Sequence, residues 1–91
     1  MLKSVFIITP VFNDRDKVLR FVQSVKEQDY KDFKLIIVDD GSQDGTSDAL
    51  RELHPEVIVL QGDGNLWWSG GTNLGVRYAI KNMADYVLTI N

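Results

Sequence analysis

The chain has 91 residues, enough for one small domain. It is 44% hydrophobic and 25% charged with a net charge of -3, a globular composition, and a mildly acidic chain without a basic cluster does not fit nucleic-acid binding. It has no cysteine, which excludes disulfides, thiolate metal sites and cysteine nucleophiles.

Met1-Leu2-Lys3 leads into Val5-Phe6-Ile7-Ile8, an apolar run too short for a signal-peptide core or a membrane span. A soluble, cytosolic chain is therefore expected. Ser4 to Thr9 reads as the first strand, stopping at Pro10, which lacks the amide donor that continues a ladder. A helix follows from about Asp14 to Gln28. Asn13 is placed to cap it, Asp14 and Asp16 put negative charge in its first turn, and Val18, Val22 and Val25 recur at helical spacing. Asp29-Tyr30-Lys31-Asp32 is a polar connection to the second strand, Leu35-Ile36-Ile37-Val38, whose unbroken apolar run suits a parallel sheet covered on both faces.

Thr46 or Ser47 can cap a short helix carrying Ala49, Leu50 and Leu53, which Pro55 ends. Val57 to Leu60 is the third strand. A helix from roughly Thr72 to Asn82 places Val76, Ala79, Ile80 and Met83 on one side, and Tyr86 to Ile90 is the fourth strand. The order βαβαβαβ has no repeats or linkers. It predicts a Rossmann-like α/β sandwich of three layers, residues 1–91 as a single unit, with right-handed crossovers and helices on both sheet faces. A domain that stops on an apolar strand reads as a fragment of a larger one.

Chemistry concentrates where the second strand ends in two acids, Asp39 and Asp40, followed by Gly41-Ser42. In open α/β sheets, ligands bind beyond the carboxyl ends of strands. Asp39, still on the strand, reads as an acceptor for a ligand; Asp40, Ser42 and Asp44 fit equally well as turn and capping residues. Gly62-Asp63-Gly64 begins a dinucleotide fingerprint, but Trp67 stands where its third glycine belongs, and there is no Walker A sequence. A calcium loop counted from Asp40 puts Arg51 where a bidentate carboxylate is required. The lone His54 reads as a surface or helix-end residue. Trp67-Trp68 either packs one ring inside with the other over a helix start, or walls a pocket for a base or sugar. Gly70, Gly71, Thr72 and Asn73, just before the expected helix, form a candidate phosphate or ribose neighbourhood.

Three segments in this order, Thr9-Pro10-Val11-Phe12-Asn13, Val38-Asp39-Asp40-Gly41-Ser42-Gln43-Asp44-Gly45-Thr46 and Gly71-Thr72-Asn73-Leu74-Gly75, resemble the inverting family-2 glycosyltransferases. The resemblance covers essentially the whole chain. It implies the N-terminal half of a GT-A fold, with strand order 3-2-1-4, and transfer of a sugar from a nucleotide-diphosphate donor to an acceptor hydroxyl with inversion. By resemblance, Thr9, Pro10, Val11 and Asn13 belong to the nucleotide-sugar site. Asp39 accepts the N3-H of uracil or thymine, a role suited to an acceptor-only carboxylate. Gly71, Thr72 and Asn73 complete the site, with Thr72 at the family's arginine position. The segment from Gly64 to Gly71 looks like a rhamnosyltransferase-type subgroup.

The family's Asp-x-Asp metal motif would start at the end of this chain, after Asn91, so no metal ligand or catalytic residue is expected within it. The resemblance implies Mg or Mn, and a carboxylate base, in the full-length enzyme. It also implies a UDP- or dTDP-linked sugar, a glycan or lipid-linked acceptor, and work in the cytoplasm or at the cytoplasmic membrane face. This piece alone is expected to be inactive, and to self-associate through the open edge of its fourth strand. A non-catalytic nucleotide-binding or interaction module is the alternative. A receiver-like signalling domain fits less well, because a full strand-helix unit precedes the acid pair and Asp85 precedes the fourth strand.

Overall fold

The computed structural model describes residues 3–29 and 32–90. Its elements run β1 (Val5–Val11), α1 (Arg15–Lys26), β2 (Phe33–Asp39), α2 (Thr46–Leu53), β3 (Ile58–Gln61), α3 (Trp67–Lys81) and β4 (Tyr86–Thr89). The strands form one parallel sheet in the order β3-β2-β1-β4. Leu35 and Ile37 of β2 join Val18, Val22, Leu50 and Val57 on the side of α1 and α2. Ile36 and Val38 join Phe6, Ile8 and Ala79 on the side of α3. The apolar run of β2 is thus buried on both faces, as a central parallel strand requires. No helix among the described residues is long and apolar enough to cross a membrane.

The first strand does not stop at Pro10. It continues to Val11, with Pro10 opposite Val38 in the β2 register. Along β1 the backbone groups alternate sides: the Ile8 carbonyl accepts from Ile90 N-H on the β4 side, and the Val11 carbonyl from Asp40 N-H on the β2 side. The donor that Pro10 lacks therefore faces β4, beyond the last β4 pair, Ile8 with Thr89. A proline is tolerated where no ladder bond is lost.

The third helix starts at Trp67, well before the expected Thr72, so Gly70 and Gly71 lie inside it. These glycines do not interrupt the helix; they let it lie close on the sheet. A Cβ on Gly71 would stand 2.8 Å from Pro10 Cβ, and one on Gly75 would stand 2.4 Å from Cγ2 of the fully buried Ile8. Glycine inside a helix costs about 1 kcal/mol relative to alanine. Here the close packing of α3 on β1 offsets that penalty.

Smaller corrections have similar causes. Helix α1 spans Arg15–Lys26, with Asp14 as its N-cap and no side-chain cap bond from its own flank. Thr46 is the first residue of α2, preceded by Gly45 in the left-handed region at φ 84°. The connection 29–32 includes Tyr30 and Lys31, and Asn91 follows β4; these three lie outside the described residues. At the sheet edge every residue of β4 is exposed, and Val87 and Leu88 of the strand and Ile80 and Met83 before it all keep apolar surface in solvent.

Candidate functional site

The carboxyl ends of β1 and β2 carry the polar residues of interest, and side-chain alternation splits the acid pair between sheet faces. Asp39 lies on the face of Leu35 and Ile37, beneath α2. It is 1% exposed. Its Oδ1 accepts the Ser42 N-H at 3.0 Å and its Oδ2 accepts the Ser47 hydroxyl. Gln61 Nε2 in turn donates to Ser47 Oγ at 2.7 Å.

Asp40 turns to the α3 face and binds the start of that helix. Its Oδ1 accepts the Gly64 N-H at 2.8 Å, its Oδ2 accepts the Trp67 N-H at 2.9 Å, and the Leu66 N-H reaches Oδ2 at 3.0 Å. A carboxylate here satisfies amide donors that the first turn of α3 leaves unpaired and meets the positive end of the helix dipole. Burial pushes the Asp40 carboxyl up, but the N-H groups of Trp67, Leu66 and Gly64 together outweigh it and hold the group below its ordinary value of 3.8. The loop backbone comes unusually close: a Cβ on Gly62 would stand 2.5 Å from Asp40 Oδ1, and one on Gly41, at φ 81°, 3.0 Å from Gly64 Cα. Only glycine fits these two places without a shift.

The loops after β1 and β2 are stitched together separately. Asn13, at φ 47°, donates its N-H to Ser42 Oγ and accepts the Gln43 N-H on its Oδ1, both at 2.7 Å. It therefore braces the neighbouring loop and does not cap its own helix. That cap comes from across the gap, where Asp44 Oδ2 accepts the Arg15 N-H at 2.9 Å. The Thr46 hydroxyl, followed by the Arg15 and Thr46 amides, holds the Asp44 carboxyl below its ordinary range against a smaller opposing effect of burial.

These constraints leave a cavity of about 310 Å³ lined by Pro10, Val11, Phe12, Asp40, Gly64, Trp67 and Trp68. Of the residues expected to bind a nucleotide sugar, Pro10 and Val11 are on this lining. Thr9 is buried and borders a second crevice, of about 250 Å³, on the α1 side. Asp39 is not on the lining of the larger cavity; its neighbour Asp40 is. Gly71 is buried against Pro10, Asn73 is exposed, and the buried Thr72 hydroxyl has no hydrogen-bond partner. Gly70 to Asn73 lie within α3, so the argument from a helix N-terminus does not apply to them. Neither tryptophan packs inside: Trp67 is 77% exposed and Trp68 47%. His54 does end a helix, but it is buried, with Nδ1 3.1 Å from Lys26 Nζ.

The profile of glycosyl transferase family 2 matches residues 6–91. The chain belongs to this family. Two solved structures share the chain's fold. A mannosyltransferase of Pyrobaculum calidifontis, in complex with GDP-Man and Mn2+, superposes with a TM-score of 0.73 at 27% identity, over 82% of this chain and 24% of that one. TarS of S. aureus superposes with a TM-score of 0.71 at 24% identity, over 98% of this chain and 16% of that one. Among curated glycosyltransferases, the UDP-N-acetylglucosamine–dolichyl-phosphate N-acetylglucosaminyltransferase of Methanococcus voltae is 27% identical over 98% of this chain and 41% of its own length. The putative teichuronic acid biosynthesis glycosyltransferase TuaG of Bacillus subtilis is 46% identical over 53% of this chain and 19% of its own. The family 2 chain thus spans less than half the length of these relatives.

The Pyrobaculum structure holds a manganese ion, but among the described residues here no group of three or more His, Asp or Glu side chains could hold a metal. Asp39 and Asp40 point to opposite faces, each already held by protein donors.

Asp40 is ionised in the fold below its ordinary value, so its contribution to stability is complete above the usual carboxylate range and is lost as pH falls through the lowered value. Asp40→Asn is expected to destabilise the chain by about 1.5–3 kcal/mol at pH 7, the range for hydrogen bonds to a charged group. It should also flatten the loss of stability on acidification below about pH 4. Urea unfolding across that pH range checks both; a variant with wild-type midpoints throughout contradicts them.

Proposed function

We propose that this chain is the donor-nucleotide part of a glycosyltransferase that moves a sugar from a UDP- or dTDP-linked donor to an acceptor hydroxyl with inversion. The observation that carries the reading is the cavity at the carboxyl ends of β1 and β2, whose lining is apolar and aromatic apart from one carboxylate kept ionised. Such a lining suits a flat base that presents an N-H donor to an acceptor-only group. Of the two acids we assign the base N-H to Asp40, because Asp40 is on the cavity lining whereas Asp39 is buried on the opposite face. Thr72 and Asn73 are assigned to the ribose and diphosphate side by the family pattern, and the unpartnered Thr72 hydroxyl supports this.

The rest of the longer protein is assigned the acceptor site, the carboxylate base and the ligands for a divalent ion, Mg or Mn, after β4. The named role of TuaG in teichuronic acid biosynthesis supports a glycan acceptor, and the dolichyl-phosphate enzyme supports a lipid-linked one. A lipid-linked acceptor would place the parent protein at the cytoplasmic membrane face.

Calorimetric titration is expected to show tighter binding of UDP or dTDP than of GDP. Asp40→Asn should weaken binding by about 1.5–3 kcal/mol, and Asp39→Asn by much less. Equal affinity for GDP, the nucleotide of the Pyrobaculum complex, contradicts the base assignment; a larger effect at Asp39 returns the role to that residue.

We also propose that the isolated chain pairs through β4, whose four residues are exposed and whose outer edge has no neighbouring strand among the described residues. Light scattering should then show a dimer, with roughly 1,000 Å² or more buried if the contact is specific. A monomer at high concentration contradicts the pairing.

A further inference from the structure

The two tryptophans of the chain both stand in solvent on the wall of one cavity. Tryptophan gains more from burial than almost any other side chain, so leaving two adjacent indoles 77% and 47% exposed forgoes much of the favourable free energy of folding. Trp67 is also a backbone outlier, at φ 59° in the left-handed region that bulky residues avoid. The conformation is held from inside the cavity, because the Trp67 N-H donates to Asp40 Oδ2 at 2.9 Å. A strained residue fixed by a buried carboxylate on the same lining is a place to look for a ligand.

The rest of that lining narrows the ligand. Phe12 is a third aromatic side chain there, 57% exposed, beside Pro10 and Val11, and among the described residues no lysine or arginine lines the cavity. An apolar, aromatic wall without a cation is poorly suited to a diphosphate. It suits the face of a flat, uncharged ring, which stacks on aromatic side chains whatever its sequence of ring atoms.

We propose that Trp67 and Trp68 hold the base of the donor nucleotide by stacking, with Asp40 fixing Trp67 and accepting from the base edge. This inference rests on the donor-site reading and adds to it two specificity-determining residues. Selectivity for a ring over a bare diphosphate then comes from the start of α3, and Asp40 serves the ligand twice: directly, and through the backbone of Trp67.

Because the chain has only these two tryptophans, its indole fluorescence reports this wall alone. The test titrates the 91-residue chain with UDP, with dTDP, with GDP and with inorganic diphosphate, following emission and heat in parallel. A nucleoside diphosphate should change the emission with the same half-saturation as the calorimetric isotherm, and inorganic diphosphate should leave it unchanged. Trp67→Leu should weaken binding of the preferred nucleotide about tenfold, within the range of one base–aromatic stack, while Trp67→Phe keeps affinity within about threefold. Circular dichroism of both variants confirms that they fold. Heat without a change in emission, an emission change with inorganic diphosphate alone, or unchanged affinity in folded Trp67→Leu overturns the stacking role and leaves the donor site standing. No heat with any of the three nucleotides overturns both.

Discussion

A buried carboxylate that binds the start of a helix organises the working end of this structure. Asp40 leaves β2 on the α3 face and gathers the amides of Gly64, Leu66 and Trp67. Those contacts decide where α3 begins and fix the loop after β3 against the loop after β2. They also offset the desolvation of the charge, which an unpaired buried carboxylate would not survive in ionised form. Remove the carboxylate and the first turn of α3 loses its partner. The cavity wall made by Trp67 and Trp68 is then no longer held in place.

Close approach is the second constraint. Gly62 and Gly41 let the two loops approach Asp40 and each other, and Gly71 and Gly75 let α3 settle onto Pro10 and Ile8. The loops after β1 and β2 are joined by a different set of bonds, through Asn13, Ser42 and Asp44. The four residues of β4 are exposed, and Val87 and Leu88 keep much of their apolar surface in water. Side-chain hydrogen bonds are therefore concentrated at the carboxyl ends of β1 and β2, around the cavity.

Most of the fold was legible because periodicity and burial agree. The unbroken run Leu35 to Val38 announced a strand covered on both faces, and the parallel βαβ order followed from alternating elements. Sequence reasoning erred where tertiary contacts override local signals. Pro10 reads as a stop because the missing donor is a local fact, whereas its direction, beyond the last β4 pair among the described residues, is a property of the sheet. Gly70-Gly71 reads as lying just before the helix because glycine is a poor helix former, whereas both lie inside α3, where Gly71 allows close packing on Pro10.

The acid pair is the most instructive case. Motif and strand position point to Asp39 as the ligand-facing group, whereas alternation along β2 sets Asp39 beneath α2 and Asp40 on the cavity lining. A signal for this was present in Gly62-x-Gly64, two small residues that allow backbone amides to approach a carboxylate. Nothing in the local sequence, however, tied that loop to position 40. The sequence leaves open whether one tryptophan packs inside or both wall a pocket, and the exposure of both indoles favours the second.

The central claim, that an ionised Asp40 holds the start of α3, is tested most directly by following backbone amide resonances through an acid titration. The account predicts that the amides of Gly64, Leu66 and Trp67 shift together, with one midpoint below 3.8, and that Asp40→Asn abolishes that shared transition. Independent shifts, or a common midpoint at or above 3.8, would contradict it.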